Sequence, residues 1–412
     1  MQTNRKILVL GLACASFLAL GILTAALGPA LPDLAHNTNA SLVAAGSMFT
    51  ALFLGSLAAQ TLAGPGLDRL GPRPILLVGF VLLGAGTFGL SLLPWLGLAL
   101  AGAVVAGLGH GAIDVTSNVM AAELFPERRA MALNLLNLFF GIGAFLGPAL
   151  AGLTLRMWGT ALPSLWLGAG LLLALLPWMA RWTPASRASA QPGSSQAARR
   201  GRLASPLLWA LGLMILVYVG IENGTGGWTP VYLARTTPLS ASSAALVTSG
   251  FWLAITAGRG VATLLGARLH ARWLLAGSLG LALVGSLLLA AGRGSPAWSA
   301  AGVMVLGLGF GPVFPTTLAL VTVAFPGAAG AAAGVVVALG SLGGMLLPWV
   351  QGLLLEQVGP AGSLALTSGA CLLMLLLYAV AGRVTPRETA GGAAAADPAG
   401  QPASRKAFPA RG

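Results

Sequence analysis

The fold is decided by a stretch of 51 residues that occurs twice in the chain. Residues 105–155 have the sequence VAGLGHGAIDVTSNVMAAELFPERRAMALNLLNLFFGIGAFLGPALAGLTL, and residues 305–355 have the sequence VLGLGFGPVFPTTLALVTVAFPGAAGAAAGVVVALGSLGGMLLPWVQGLLL. Fifteen of the 51 positions are identical at an offset of 200 residues, and most of these are glycine, proline or leucine. Two halves related by such a repeat, in an apolar chain, are typical of membrane transporters that hold their site between the halves.

Composition also predicts a membrane protein. Hydrophobic residues make up 57% of the 412 residues and charged residues only 8%, against about 25% charged in soluble domains. The 22 Lys and Arg are spread over short loops instead of forming one basic face, so no nucleic-acid partner is expected. Cys14 and Cys371 lie in apolar segments and fit neither a disulfide framework nor a metal-ligand spacing. We therefore expect no cofactor and no metal.

Twelve apolar segments are long enough to cross a bilayer, which takes about 20 residues. They lie at about 7–32, 40–63, 74–94, 98–122, 130–155, 160–180, 206–234, 241–266, 272–291, 297–322, 328–355 and 361–381. The predicted fold is an all-α integral membrane protein with twelve transmembrane helices in two six-helix bundles. We predict bundles at 1–182 and 206–382, a flexible cytoplasmic linker at 183–205 and a disordered cytoplasmic tail at 383–412.

Basic residues predict the orientation of the chain in the bilayer. Of the 22 Lys and Arg, 18 lie in the linker, the tail or the loops on the side of the N-terminus. The opposite loops hold only Arg156, Arg235 and Arg293, and Arg259 lies inside a span. Both termini are therefore expected in the cytoplasm, with the chain a multi-pass monomer in the cell inner membrane.

The two copies of the repeat differ in polarity. Six positions are polar only in the first copy, where His110, Asp114, Asn118, Glu123, Asn134 and Asn137 correspond to Phe310, Phe314, Leu318, Val323, Gly334 and Val337. The first three are spaced by four residues, so they follow one helix face with a drift of about 40° per step. That face cannot point at lipid.

Asp114 is the predicted centre of proton coupling. A charge at mid-membrane costs at least about 2.5 kcal/mol, so an unpaired carboxylate there is expected to take up a proton. The neutral form would then allow the loaded transporter to turn over. The alternative is a structural Asp that is hydrogen-bonded to Asn118 or His110.

Substrate-binding residues are expected on both halves, because sugar hydroxyls need amide donors and acceptors and an aromatic face for stacking. The candidates are His110, Asn118, Asn134, Asn137, Asn223, Trp228 and Trp252. For the asparagines the alternative is hydrogen bonding between helices, and for the tryptophans it is anchoring at the membrane interface.

The segment Glu222–Gly227, with the sequence ENGTGG, is expected to loosen or break the seventh helix. Two roles are open for Glu222. It could be a second proton-coupling carboxylate, or it could pair with Arg259, because a lone Arg in a span must find a partner.

A charged loop follows the second predicted helix, with the sequence GPGLDRLGPR at residues 64–73. It resembles the loop signature of the major facilitator superfamily, G-x-L-x-D-R-x-G-R-R, with Pro72 in place of one basic residue. The resemblance implies that Asp68, Arg69 and Arg73 hold the cytoplasmic side closed. The alternative is a positive-inside loop with a tight glycine turn.

A second charged group stands at the cytoplasmic end of the fourth helix. Glu123, Arg128 and Arg129 are expected to form ion pairs there, as part of the same gate. All three positions are apolar in the second copy of the repeat, so the gate is expected to be asymmetric.

Five segments resemble the fucose permease and glucose/galactose transporter branch of this superfamily. They are GHGAIDVTSN at 109–118, RAMALNL at 129–135, GAFLGP at 143–148, YVGIENGTGGW at 218–228 and GRG at 258–260. The resemblance implies proton-linked sugar uptake by alternating access, with an acidic residue followed four positions later by Asn, as in Asp114 and Asn118. The second carboxylate of that branch, before a proline in the first helix, is missing before Pro29.

Proton-antiport efflux of drugs or metabolites is the main alternative function. The glycines and proline of GAFLGPALAG at 143–152 resemble an antiporter motif, but Pro148 and Gly152 recur at the same places in the second half, which favours helix packing. An enzyme is not expected, because no catalytic constellation or phosphate-binding glycine loop is present in the sequence.

Overall fold

The computed structural model describes residues 2–183, 205–266, 268–325 and 328–384, with every side chain there except those of residues 2, 3, 64, 65, 68, 130 and 384. This part of the chain contains no strand, and twelve of its helices are long and apolar enough to span a membrane. They are α1 Gln2–Asn37, α2 Leu42–Leu70, α3 Pro72–Leu92, α4 Leu96–Leu124, α5 Arg129–Trp158, α6 Leu162–Trp182, α7 Pro206–Thr236, α8 Ala241–Gly266, α9 Ala271–Ala291, α10 Pro296–Ala324, α11 Ala329–Gln357 and α12 Pro360–Val384. The predicted fold class is confirmed.

Two predicted segments fall largely outside the described residues. They are the linker, of which residues 184–204 are not described, and the tail from residue 385 onward. We call α1–α6 the first half and α7–α12 the second half. The end of the molecule where α6 ends and α7 begins is called the linker side, and the other end is called the opposite side.

Helix α10 is interrupted, whereas its counterpart α4 is continuous. The segment Pro296–Phe310 ends at Gly311, and a second segment begins at Val313 after Pro312. Proline has no backbone N–H to continue the helical hydrogen bonds and its ring crowds the preceding turn. Residue 112, the counterpart of Pro312, is an alanine, and α4 runs without a break.

Shared glycines pack the same helix pair in each half. A Cβ on Gly107 of α4 would meet the carbonyl oxygen of Leu52 in α2, and a Cβ on Gly307 of α10 would meet that of Phe251 in α8. Because only glycine allows this close approach, the repeat fixes how the helices fit together. Leu52 and Phe251 are therefore equivalent, which aligns α2 with α8 at an offset of 199 residues.

The same close approach joins α5 and α11, the second helix of each copy of the repeat, to the first helix of each half. A Cβ on Gly143 of α5 would meet the carbonyl oxygen of Leu18 in α1, and a Cβ on Gly343 of α11 would meet that of Leu216 in α7. Leu18 and Leu216 are therefore equivalent, which aligns α1 with α7 at an offset of 198 residues. The shared glycines therefore serve close packing, as the sequence predicted.

The halves touch at the opposite side and at mid-depth. In the described residues, three hydrogen bonds cross between them: Val43 N to Glu356 Oε2 (3.2 Å), Thr50 Oγ1 to Met345 O (2.6 Å) and Ser242 Oγ to Gly152 O (2.8 Å). Closer to the linker side, Gly141 of α5 lies against Thr256 of α8.

We infer a cleft between the halves toward the linker side from the exposure of two asparagines on α5. Asn134 and Asn137 lie about 20° and 40° from Gly141 around α5, on the face that meets α8 through Thr256. Both asparagines are nevertheless exposed, so α8 does not cover this face beyond Gly141. The structure is therefore closed at the opposite side and open at the linker side.

The expectation of a broken seventh helix is wrong. Helix α7 runs from Pro206 to Thr236 through residues 222–227 without interruption. The glycines of this segment allow neighbours to approach: a Cβ on Gly224 would meet Gln351, and a Cβ on Gly226 would meet the ring of Trp252. Packing against α11 and α8 therefore holds the segment helical despite the low helix propensity of glycine.

Candidate substrate and coupling site

Asp114 lies on α4 as a carboxylate without a cationic partner. Asn118 Nδ2 donates to Asp114 Oδ1 over 3.0 Å and to the Asp114 backbone oxygen over 2.9 Å. The i, i+4 spacing brings the two side chains together on one helix face. Asp114 is half-buried, and no Lys, Arg or His side chain of the described residues lies within 4.0 Å of its carboxylate. A carboxylate in this position can bind and release a cation or a proton.

His110 lies one turn away on α4, in a corner formed by α1, α2 and α4. Its Nε2 is 3.3 Å from Thr24 Oγ1, and its Nδ1 is 3.5 Å from Ser56 Oγ. Gln60 Nε2 donates to Ser56 Oγ over 3.2 Å. This corner is therefore polar and uncharged apart from the imidazole.

Glu222 is the buried carboxylate of the second half. Its Oε1 accepts a hydrogen bond from Tyr218 Oη over 2.8 Å and lies 3.4 Å from Arg259 Nη2. Tyr218 in turn packs edge-on against Phe310 of α10, with 5.6 Å between ring centroids. The structure thus places Arg259 beside Glu222, in a corner formed by α7, α8 and α10.

The two corners occupy equivalent places in the two halves. At the offset of 198 between α1 and α7, Glu222 corresponds to Thr24. At the offset of 199 between α2 and α8, Arg259 corresponds to Gln60. The two copies of the same corner therefore contain an ion pair in the second half and neutral hydrogen-bonding groups in the first.

Asn134 and Asn137 face the cleft. Asn137 lies about 6 Å from Gly141 along α5, and Arg259 lies about 4.5 Å from Thr256 along α8, both toward the linker side. Because Gly141 touches Thr256, Asn137 and Arg259 stand at a similar depth on opposite walls of the cleft. The predicted substrate residues of α5 are thus brought to the level of the Glu222 corner.

Three of the predicted asparagines donate to the backbone of their own helix. Asn118, Asn137 and Asn223 each place Nδ2 within 2.8–2.9 Å of the carbonyl oxygen four residues earlier. This local bond satisfies the amide where no other partner is present. Their Oδ1 atoms accept no hydrogen bond from the described residues.

Trp228 is part of the joint between the halves. Its Nε1 donates to Pro348 O over 2.7 Å, and its ring is 1% exposed and packs against Gly46 of the first half. Trp252 is also buried, but its Nε1 has no hydrogen-bond partner among the described residues. The predicted stacking role of Trp228 would therefore require the opposite side to open.

The predicted gate residues form no ion pair among the side chains that the structure describes. Arg69, Glu123, Arg128 and Arg129 are exposed, and none forms an ion pair with a described side chain; the side chain of Asp68 lies outside the described part. Arg73 is half-buried. A structure that is open at the linker side is not expected to hold a linker-side gate together, so the gate stays a prediction.

Sequence reasoning missed four residues of the two corners. They are Thr24, Ser56, Gln60 and Tyr218. The repeat is visible in the sequence over α4, α5, α10 and α11. An extension to α1, α2, α7 and α8 would have paired Thr24 with Glu222 and Gln60 with Arg259.

Comparisons with known proteins agree with this architecture. The family model of the Major Facilitator Superfamily matches residues 12–348 and 229–410. The chain is 28% identical to the sodium-dependent glucose transporter 1 of Danio rerio, covering 92% of this chain and 71% of that protein. It is 30% identical to the multidrug resistance protein Stp of Mycobacterium tuberculosis over 49% of this chain and 36% of that protein. The Escherichia coli fucose:proton symporter FucP shares the fold, with a TM-score of 0.62 and 19% identity over 91% of this chain and 99% of that one.

Proposed function

Because the chain belongs to the Major Facilitator Superfamily, a family of transporters and not of enzymes, we propose that it is a secondary active transporter working by alternating access. Its proposed substrate class is a sugar or a similar small polar solute, taken up together with protons. The observation that carries the proposal is Asp114, a half-buried carboxylate on the membrane-spanning helix α4 that has no cationic partner among the described residues.

Alternating access is supported by where the halves touch. Their hydrogen bonds lie at the opposite side and at mid-depth, and none of those between described residues lies at the linker side. Rocking of α1–α6 against α7–α12 would break these bonds and bring the linker-side residues together. The gate around Asp68, Arg69, Arg73, Glu123, Arg128 and Arg129 would form in that second state.

Proton coupling is assigned to Asp114. An ionised Asp114 favours the state in which water reaches it, and protonation removes the cost of enclosing the charge. Glu222 is the second candidate, but its bonds to Tyr218 and Arg259 already compensate its charge. Sodium must be tested beside the proton, since the relative from Danio rerio is named as sodium-dependent.

A sugar-like solute suits the polar groups on both walls of the cleft. Asn137 and Asn134 on α5, together with Glu222 on α7 and Arg259 on α8, offer donors and acceptors to hydroxyl groups. His110, Asn118 and Asn223 extend the same set toward α4 and α7. Trp252 is buried with an indole N–H that has no described partner, and it would offer a further donor and a ring for stacking only after a change of conformation.

The linker side is assigned to the cytoplasm from the excess of Lys and Arg in its loops and in the linker and tail sequences. Both termini would then be cytoplasmic, and the protein would be a monomer in the cell inner membrane. In this orientation the structure is the inward-open state.

Efflux by proton antiport is the second candidate. It is favoured by the similarity to protein Stp of Mycobacterium tuberculosis, which covers about half of this chain. If the Asp114 carboxylate binds a proton and a cationic solute in turn, it would serve antiport as well as symport.

Transport by reconstituted protein tests the proposal. Proteoliposomes would be loaded with buffer, and accumulation of radiolabelled glucose, galactose and fucose would be followed under an inward proton gradient, an inward sodium gradient, or neither. We expect accumulation with the proton gradient alone. Accumulation with the sodium gradient alone would show that sodium, and not the proton, is the coupling ion. Proton-driven export of a cationic dye without sugar transport would establish the efflux function instead.

A further inference from the structure

We propose that Glu222 and Arg259 form a subsite that binds two adjacent hydroxyl groups of a neutral sugar and discriminates against sugar acids. The inference rests on the proposed function and specifies its substrate class.

The pair has unused hydrogen-bonding capacity. Both described bonds to the Glu222 carboxylate go to Oε1, so Oε2 accepts none from the described residues. On Arg259 only Nη2 is paired with a described group, and Nε is buried without a partner. A free carboxylate oxygen beside free guanidinium N–H groups can accept from one hydroxyl and donate to its neighbour.

The pair also borders the cleft. The Arg259 side chain is 28% exposed and that of Glu222 is 10% exposed. Arg259 lies about one turn to the linker side of Thr256, which contacts Gly141 of the first half. A solute in the cleft can therefore reach the pair while also contacting Asn137 on the other wall.

The fold does not need an ion pair at this place. The equivalent corner of the first half is built from Thr24, Gln60 and His110, with no ion pair. A buried ion pair contributes little to stability compared with neutral packing, because both charges lose their hydration. Its presence in only one copy of the corner points to recognition of a ligand.

Charge determines the class of that ligand. Glu222 and Arg259 neutralise each other, and Asp114 adds one negative charge on the other half as long as it has not taken up its proton. A carboxylate on the solute would meet this excess negative charge and would compete with Glu222 for Arg259. A neutral solute with neighbouring hydroxyl groups avoids both costs.

Binding to the purified, detergent-solubilised full chain provides the test. Dissociation constants of glucose, galactose and glucuronate would be measured by thermal shift and by scintillation proximity. For the unmodified protein we expect a neutral hexose to bind at least about 10-fold more tightly than glucuronate, the size of one charge-assisted hydrogen bond. Equal or tighter binding of glucuronate overturns the proposal without any variant.

Two substitutions then locate the subsite. Glu222→Gln should weaken hexose binding by about 10-fold or more and should improve glucuronate binding, because Arg259 loses its competing carboxylate. Glu127→Gln, the same change at an exposed position, should leave both affinities unchanged.

The outcomes separate this proposal from the proposed function. If Glu222→Gln keeps the hexose affinity and the preference over glucuronate, the subsite is wrong while sugar transport stands. If the unmodified protein binds no neutral hexose, both are wrong. A charge swap, Glu222→Arg with Arg259→Glu, that restores thermal stability and hexose binding together would show that the pair is only structural.

Discussion

The carboxylate of Glu356 in α11 accepts a hydrogen bond from the backbone N–H of Val43 in α2, with 3.2 Å between Oε2 and N. Val43 lies in the first turn of α2, where backbone N–H groups have no partner within the helix, and Ser41 caps Ala44 beside it. A carboxylate from the second half therefore completes the N-terminus of a helix in the first half. The bond can exist only while the opposite side is closed.

Replacement of Glu356 should shift the protein toward the state that is open at the opposite side. Glu356→Ala removes a carboxylate from a helix N-terminus, an interaction of about 0.3–1 kcal/mol, so the closed-to-open ratio should fall by about 2- to 5-fold. Distances between spin labels at Trp95 and Val358, both exposed near that side, would report the change. Glu127→Ala is the control, and an unchanged distance distribution would show that the hydrogen bond between Glu356 and Val43 does not stabilise the closed state.

Asp114→Asn should uncouple transport from the proton gradient. The amide keeps the Oδ1 acceptor that Asn118 uses, so the local structure should be preserved while the titratable group is lost. Exchange of labelled for unlabelled solute across proteoliposomes should continue, and accumulation above equilibrium should disappear. Accumulation that still follows the proton gradient would remove Asp114 from the coupling mechanism.

Alanine at the shared glycines should destabilise the two halves to a similar extent. A Cβ at Gly143 or Gly343 would collide with the backbone of Leu18 or Leu216, and overpacking of this kind costs about 1–3 kcal/mol. Gly170 has nothing within 4 Å of the added Cβ, so Gly170→Ala is the matched control. Thermal unfolding followed by size-exclusion chromatography would compare the three variants; a tolerated alanine at position 143 or 343 would contradict the packing argument.

Trp228→Phe should lower stability more than any exposed tryptophan substitution. The change leaves a buried carbonyl at Pro348 without its indole donor and opens space beside Gly46, at a cost of about 1–3 kcal/mol. Trp178, which is 54% exposed, supplies the control Trp178→Phe. A variant that is fully stable but binds solute poorly would instead support the stacking role predicted from the sequence.

The helices and their pairing could be predicted from the sequence because hydrophobic length and glycine spacing act locally. Twelve long apolar runs and the duplicated glycines of α4 and α10 each carry their own signal. The Glu222 segment could not be predicted correctly, because its glycines favour a break locally while Gln351 and Trp252 of other helices hold it straight. The long-range contact overrides the local preference, and no sequence window contains both.

The site was predicted in part for a similar reason. Asp114 and Asn118 are close in sequence and stand out on an apolar helix, so their hydrogen bond could be anticipated. Thr24 and Gln60 are ordinary residues whose importance comes only from lying beside His110 and Ser56 in space. A residue without a chemical signal of its own becomes visible only when the chain is folded.

The interruption of α10 at Gly311 and Pro312 should make the second half easier to deform than the first. Helix α4 is uninterrupted at this depth, so the helix that carries Asp114 should keep its shape during a transport cycle. Helix α10 is interrupted at the same depth, so we expect its linker-side segment to rotate relative to the rest of the second half. We therefore expect the deformation that accompanies solute entry to be concentrated in the second half, with the first half acting as the fixed template.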